Sequence, residues 1–152
     1  MGRFKHVEIR QSLFLVVDFN EQLMEGTFEY VLFHIFERGF IDLKPFLIKY
    51  FNDKTGCKAY HPSILLKIIL LGYSRGVVSS RKLEKLCKEN ILFKAISGNS
   101  TPDFTTIADF VSGMSNEILS VFQDILKICD EFDLIGGEIF ALDGHKVSSN
   151  AA

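Results

Sequence analysis

Several things are missing from this 152-residue chain, and each absence closes a class of protein. No run of about 18 uninterrupted apolar residues exists, so no stretch reads as a membrane-spanning helix. The richest run, Ile64 to Tyr73, is too short and carries Lys67, which makes it a buried helix of a soluble protein. Cysteine occurs only three times, at Cys57, Cys87 and Cys129. The three are far apart, odd in number and never in a CxxC spacing, so neither a disulfide framework nor a redox pair is expected. His6, His34, His61 and His145 are equally scattered, and no zinc-ligand spacing forms. No secretory signal, internal repeat or low-complexity segment is evident. A nucleophile paired with a base, or a glycine-rich phosphate loop, is also lacking, so nothing marks an enzyme complete in itself.

What is present is a large apolar share, 47% of residues, with 15 phenylalanines and no tryptophan. That is enough for a substantial core and excludes a disordered chain. The net charge of −2 conceals a segregation. Lys44 to Lys94 holds eleven Lys or Arg against three acids, a balance of +8, and the remainder holds six against sixteen, a balance of −10. A basic segment on an acidic body points to a face that binds a polyanion. Helices whose solvated faces segregate by sign are the alternative.

The patterning is helical almost throughout. Ser12 to Asp18 is a short apolar run, either a strand or a packed arm. Residues 19–25 read as a short helical turn before Gly26. Thr27 is suited to cap a helix whose apolar face is Phe28, Val31, Leu32, Ile35 and Phe36. Asp42 is suited to cap another, with Phe46, Leu47, Tyr50 and Phe51 inward and a basic turn after it at 52–58. Pro62 opens a helix apolar nearly all round, with a thin polar stripe of Ser63, Lys67 and Ser74. Such a helix is central. Ser79 or Ser80 caps the next, which buries Leu83, Leu86 and Cys87 and presents Arg81, Lys82, Lys85 and Lys88. A short helix at 91–96 follows, then one capped by Asp103 with Phe104, Ile107, Ala108 and Val111 inward. Asn116 is expected to cap the last helix, where Ile118, Phe122, Ile125, Cys129 and Phe132 recur at 4-3-4-3 spacing with Leu119 and Leu126 beside them, a core stripe or a seam for a second copy. Gly136 and Gly137 stop it, and Glu138 to Leu142 reads as a terminal strand. The expected fold is mainly α, a helical bundle of residues 1–135 with a helix-turn-helix-like segment, followed by a strand-forming piece at 138–152.

Candidate DNA contacts follow from chemistry. Cations neutralise phosphates and release counterions, and helix N-termini bearing hydroxyls hold phosphate oxygens. Ser80, Arg81, Lys82, Lys85 and Lys88 form one cluster, Thr105 and Thr106 another, and Lys67 and Arg75 add charge nearby. The same residues also read as a solvated charged face with ordinary caps. Asp143, between a strand and Gly144, is placed as a metal-binding carboxylate would be, or as a turn residue. One carboxylate alone holds Mg²⁺ poorly.

Three ordered blocks carry a resemblance: Tyr60-His61-Pro62 with SILLKIILLGYSRGVVSSRKLEKLCKENILFKAISG; Pro102-Asp103-Phe104-Thr105-Thr106-Ile107-Ala108-Asp109-Phe110; and Leu142-Asp143-Gly144-His145-Lys146-Val147-Ser148-Ser149-Asn150-Ala151. Together they resemble the N-terminal region of DDE-type insertion-sequence transposases with an InsH-type N-terminal domain. The third block is commonly Asp-Gly-Thr-Lys-(Ile/Val)-x-x-Asn-Ala-Ser there, and this chain departs from it at His145, Ser148, Ser149 and Ala152. The resemblance implies that Asp143 is the catalytic and metal-binding first acid of a triad, on the first strand of an RNase H-like domain of which 138–152 is a stump. The second Asp and the Glu are not found by residue 152. The expected protein is therefore a truncated, catalytically incomplete transposase fragment that binds double-stranded DNA at transposon ends. No cofactor is expected for the fragment, and Mg²⁺ is implied for the full-length family. A homo-oligomer through the 118–132 helix, no membrane partner and a bacterial or archaeal cytoplasmic, nucleoid-associated location complete the expectation. A protein-interaction module or a non-functional remnant is the alternative.

Overall fold

A computed structural model describes residues 2–50, 56–132, 139–142 and 145–148. Among these residues, eight helices lead into a two-stranded ladder: α1 (Phe19–Gln22), α2 (Phe28–Glu37), α3 (Lys44–Leu47), α4 (Pro62–Ser74), α5 (Ser80–Glu89), α6 (Ile91–Ser97), α7 (Phe104–Gly113), α8 (Ser115–Glu131), β1 (Ile139–Leu142) and β2 (His145–Ser148). The architecture is mainly α.

The local starts and stops follow from side-chain chemistry. Asp18 accepts from the Asn20 N–H at 2.8 Å, and Thr27 Oγ1 accepts from the Tyr30 N–H at 3.4 Å. Asn90 closes α5 and opens α6 in one residue, its side-chain oxygen accepting from Leu92 and Phe93. His61, rather than a hydroxyl or carboxylate, caps α4: its Nδ1 accepts from the Ser63 N–H at 3.3 Å, and Pro62 sits at the first helical position, where a missing N–H costs nothing. Gly76 follows α4 at φ +72°, a left-handed conformation that costs glycine little. Three local expectations do not hold. Leu43, not Asp42, is the cap position of α3, although Asp42 still accepts from the Lys44 N–H at 3.0 Å. Met114, not Asn116, precedes α8, and it gives no side-chain cap. Leu47 and Ala108, expected inward, face solvent.

Helix α4 is the hub, packed against α2, α5, α6 and α7, with α7 in turn supporting α8. Leu66, Ile68, Ile69 and Leu71 are fully buried on it and join Leu32, Phe46, Leu83, Phe93, Ile96 and Ile107 in one core. Phe46 of α3 stacks on Phe110 of α7 with centroids 5.7 Å apart. Lys49 then ties α3 to the α7–α8 corner by pairing with Glu117 at 2.5 Å. Helices α4 and α5 approach closely at Gly72, where an added Cβ would overlap Leu83 Cδ2, so glycine is what lets α5 seat on α4.

Residues 12–18 form neither a strand nor a packed arm. β1 pairs with β2 in an antiparallel ladder running from Ile139↔Ser148 to Leu142↔His145. Phe51, most of the 52–58 turn, Gly136, Gly137 and Asp143 lie outside the described residues.

Candidate nucleic-acid interface

The basic helix α5 owes its orientation to its buried side. Leu83 and Cys87 are essentially inaccessible and Leu86 is half-buried, which turns Arg81, Lys82, Lys85 and Lys88 to solvent. Burial pushes the Cys87 thiol up to about 11, so it behaves as a small apolar core group. Ser79 occupies the cap position of α5 but makes no side-chain cap bond, Ser80 is half-buried as the first helical residue, and no acid stands in the first turn. Arg81 and Lys82 therefore sit where the helix dipole is positive, a local arrangement that disfavours cations. Among the described residues neither forms an ion pair, and the Arg81 guanidinium rests 4.5 Å over the Phe104 ring.

The other charges of the cluster are partly engaged. Lys85 lies 4.0 Å from Glu89, both exposed. Lys88 Nζ donates to Glu84 Oε1 at 2.6 Å, while Glu84 Oε2 accepts from the Phe104 N–H at 3.2 Å. Glu84 thus reaches from α5 to cap the first turn of α7, twenty residues away in sequence. The Lys88 hydrogen bond, followed by its charge and the Phe104 N–H, holds the Glu84 carboxyl below its ordinary range, and the same pair raises Lys88. Asp103 Oδ1 accepts from the Thr106 N–H at 2.7 Å and from the Thr105 hydroxyl at 2.8 Å, and these bonds, Thr106's first, lower its pKa. The start of α7 accordingly already holds two carboxylates. The expectation that Thr105 and Thr106 offer a free anion site there meets filled hydrogen bonds and negative charge.

Lys67 lies in the core rather than on the basic face of α5. Only 5% of it is exposed; its ammonium lies 3.5 Å from Glu37 Oε1 and 4.9 Å over the Phe33 ring. Burial lowers its pKa, opposed by Glu37. Of the stripe it shares with Ser63 and Ser74, only Ser74 is exposed. Arg75 is at the surface but leans toward Glu29 at 3.8 Å and over Phe93 at 5.7 Å. Sequence reasoning missed Glu84 and Glu37. Glu84 is visible as an i,i+4 partner of Lys88, but its bond to Phe104 and the Glu37–Lys67 pair are tertiary.

Most of the α8 stripe shares one surface. Ile118 and Ile125, both buried, line an apolar groove of about 870 Å³ together with Leu119, Phe122, Leu126 and Cys129, with Phe28 and Val31 of α2 and Leu70 and Tyr73 of α4 opposite. Phe132 is exposed. Among the described residues, no group of three His, Cys, Asp or Glu side chains could hold a metal, and no helix is long and apolar enough to cross a membrane. Asp143 lies outside those residues, so the Mg²⁺ implied by the resemblance finds no set of ligands among them to be assigned to it.

A mainly helical domain with a central apolar helix and one outward basic helix is thus the class of protein in hand. The transposase domain family DUF772 matches residues 17–113, from the residue before the α1 cap to the end of α7. The chain belongs to that family. Comparison with curated proteins gives no significant match, and comparison with solved structures gives none.

Proposed function

We propose that this chain is the DNA-binding N-terminal region of a DDE-type transposase with an InsH-type domain, and that α5 presents the phosphate-binding face used at the element ends. The observation that carries the reading is the exposure of Arg81 and Lys82 in the first turn of α5, with no ion pair among the described residues. Cations at that end of a helix oppose its dipole, and the natural relief is an anion held jointly by the side chains and the open N–H groups of the turn. Lys85, and Lys88 once it leaves Glu84, extend the same track one and two turns along. Helices α5, α6 and α7 form the helix-turn-helix-like segment of this reading. Membership of a transposase family supports it.

On this reading Thr105 and Thr106 are excluded as phosphate ligands while Asp103 stays ionised, and Lys67 contributes to the fold only. Asp143 and the Asp-Gly motif it opens are assigned to the start of the RNase H-like catalytic domain. DNA binding rests with the helical domain on this reading, not with Asp143. The Mg²⁺ chemistry belongs to the assembled triad.

The test is a titration of the 1–152 chain against a duplex from the flank of its coding sequence and a scrambled duplex, across salt concentrations. Each phosphate contact contributes about −0.9 to the slope of log K against log salt. Arg81→Ala and Lys82→Ala should each weaken binding to both duplexes and make the slope shallower by about 1. Lys67→Met should leave the slope unchanged. Equal slopes in the parent and both α5 variants would remove α5 from the interface.

A further inference from the structure

Two apolar surfaces of this chain have no cover among the described residues. One is the arm before α1: Leu13, Phe14, Leu15 and Val16 are between 71% and 103% exposed, in an extended segment without secondary structure. The other is the groove of about 870 Å³, with Phe28 on one wall and Phe122, Leu126 and Cys129 on the other. Exposed apolar surface of this extent marks an interaction site.

We propose that residues 13–17 of one copy occupy the groove of a second copy, reciprocally, in an arm-exchanged dimer. The arm leaves the body at Asp18, where α1 begins and packs on α6, and its side chains stand clear of a groove that stays open beside Gly26 and Thr27 of the same chain. The charges match across copies. Residues 2–17 carry Arg3, Lys5 and Arg10 against Glu8, a balance of +2. On α8, Glu117 pairs with Lys49 and Asp124 with Lys127, which leaves Asp130 and Glu131 without an ion pair among the described residues at the end of the helix that carries Cys129. A twofold axis uses each arm–groove contact twice, which is how a short apolar segment reaches the roughly 1,200–2,000 Å² of stable interfaces. The exchange leaves α5 uncovered, so it stands independently of the DNA-binding reading.

Cys129 lies in the groove and makes the test direct. In a Cys57→Ser background, the 1–152 chain is compared with and without Leu15→Cys under a mild oxidant. Cys87 is fully buried and does not compete. The expected result is a disulfide-linked dimer, twice 17.3 kDa, only when both Leu15→Cys and Cys129 are present, with no dimer after a further Cys129→Ser. Without oxidant, Phe14→Asp should shift the sedimenting species from dimer to monomer with an unchanged far-ultraviolet spectrum. An internal disulfide in a monomer would place the arm in its own groove and overturn the exchange. A covalent dimer in the chain lacking Leu15→Cys would mean that the α8 faces pair directly, and also overturns it. So does the absence of any disulfide.

Discussion

Gly72→Ala is a small change with a large expected effect, because two opposing magnitudes are both legible. In an exposed helix interior, alanine is more stable than glycine by about 1 kcal/mol. Here the new methyl would overlap Leu83 Cδ2 and stand 3.2 Å from the Val77 carbonyl oxygen. Leu83 is 1% exposed and closed in by the core, and the carbonyl is backbone, so neither can yield without moving α5. Over-packing of this kind costs about 1–3 kcal/mol. The clash offsets the propensity gain and leaves a net loss of up to about 2 kcal/mol. For a chain of this length, at roughly 2–4 °C per kcal/mol, that lowers the melting temperature by up to roughly 8 °C. A double-mutant cycle isolates the contact. Leu83→Ala alone should cost about 2–5 kcal/mol as a cavity. In the double variant the methyl added at position 72 fills part of that cavity, so the sum of the single effects should overshoot by roughly 1–3 kcal/mol. Thermal and urea unfolding followed by circular dichroism read both numbers. A melting temperature raised by Gly72→Ala, or strict additivity, would refute the close approach of α4 and α5.

Three further outcomes follow from the charged groups. Lys67→Met keeps an unbranched apolar stem while removing the buried ammonium that lies over Phe33, so stability at neutral pH should be unchanged or raised by up to about 1 kcal/mol, since apolar replacements of buried charges are often neutral or better; a loss of several kcal/mol by urea unfolding would contradict this. The pKa of Lys67 in the fold is lowered from 10.5, so the folded chain releases its proton before the unfolded chain does, and the parent's stability contribution from this residue rises as pH climbs from the folded value toward 10.5. The gap between Lys67→Met and the parent should therefore narrow over that window; a constant gap counts against the burial. Glu84 and Asp103 are shifted below 4.5 and 3.8, so their stabilisation is present above those values and lost as pH falls through the lower folded ones. Glu84→Gln should lie below the parent at pH 7 and lose less on acidification below about pH 4.5, and parallel acid limbs in thermal melts would count against the Glu84 cap.

Much of the fold can be read from local chemistry. Thr27, Asn90 and Asp103 are residue types that cap helices, and each does so here. Pro62 and Gly76 bracket α4, and the near-absence of polar positions between them places that helix at the centre. The failures share one cause. Periodicity puts Ala108 and Leu47 inward, but α3 is a single turn and α7 buries a narrow stripe around Ile107 and Phe110, so the depth of burial depends on neighbours the sequence does not name. Asn116 loses the cap of α8 because α7 and α8 nearly abut: Gly113 ends one, Met114 turns, and Ser115 starts the next.

The site is legible as a balance of charge but not as an arrangement of it. Counting from Lys44 to Lys94 treats every cation as available, and folding divides them. Lys67 is drawn into the core by a central helix apolar on nearly every other side, and the cost of burying an ammonium keeps it next to Glu37. Lys88 and Arg75 each meet a carboxylate supplied by i,i+4 spacing or by α2. Arg81 and Lys82 are left exposed, without ion pairs among the described residues, at the one end of α5 where their own helix repels them. Arg81 gains the Phe104 ring 4.5 Å away, but Lys82, kept against its helix dipole, has no ion pair or ring contact among the described residues, and stability does not account for its place. Local rules broken without a structural gain are where function is expected. What singles out α5 is therefore less how many positive charges the segment contains than where Arg81 and Lys82 stand: exposed in the first turn of their own helix, without an ion pair among the described residues.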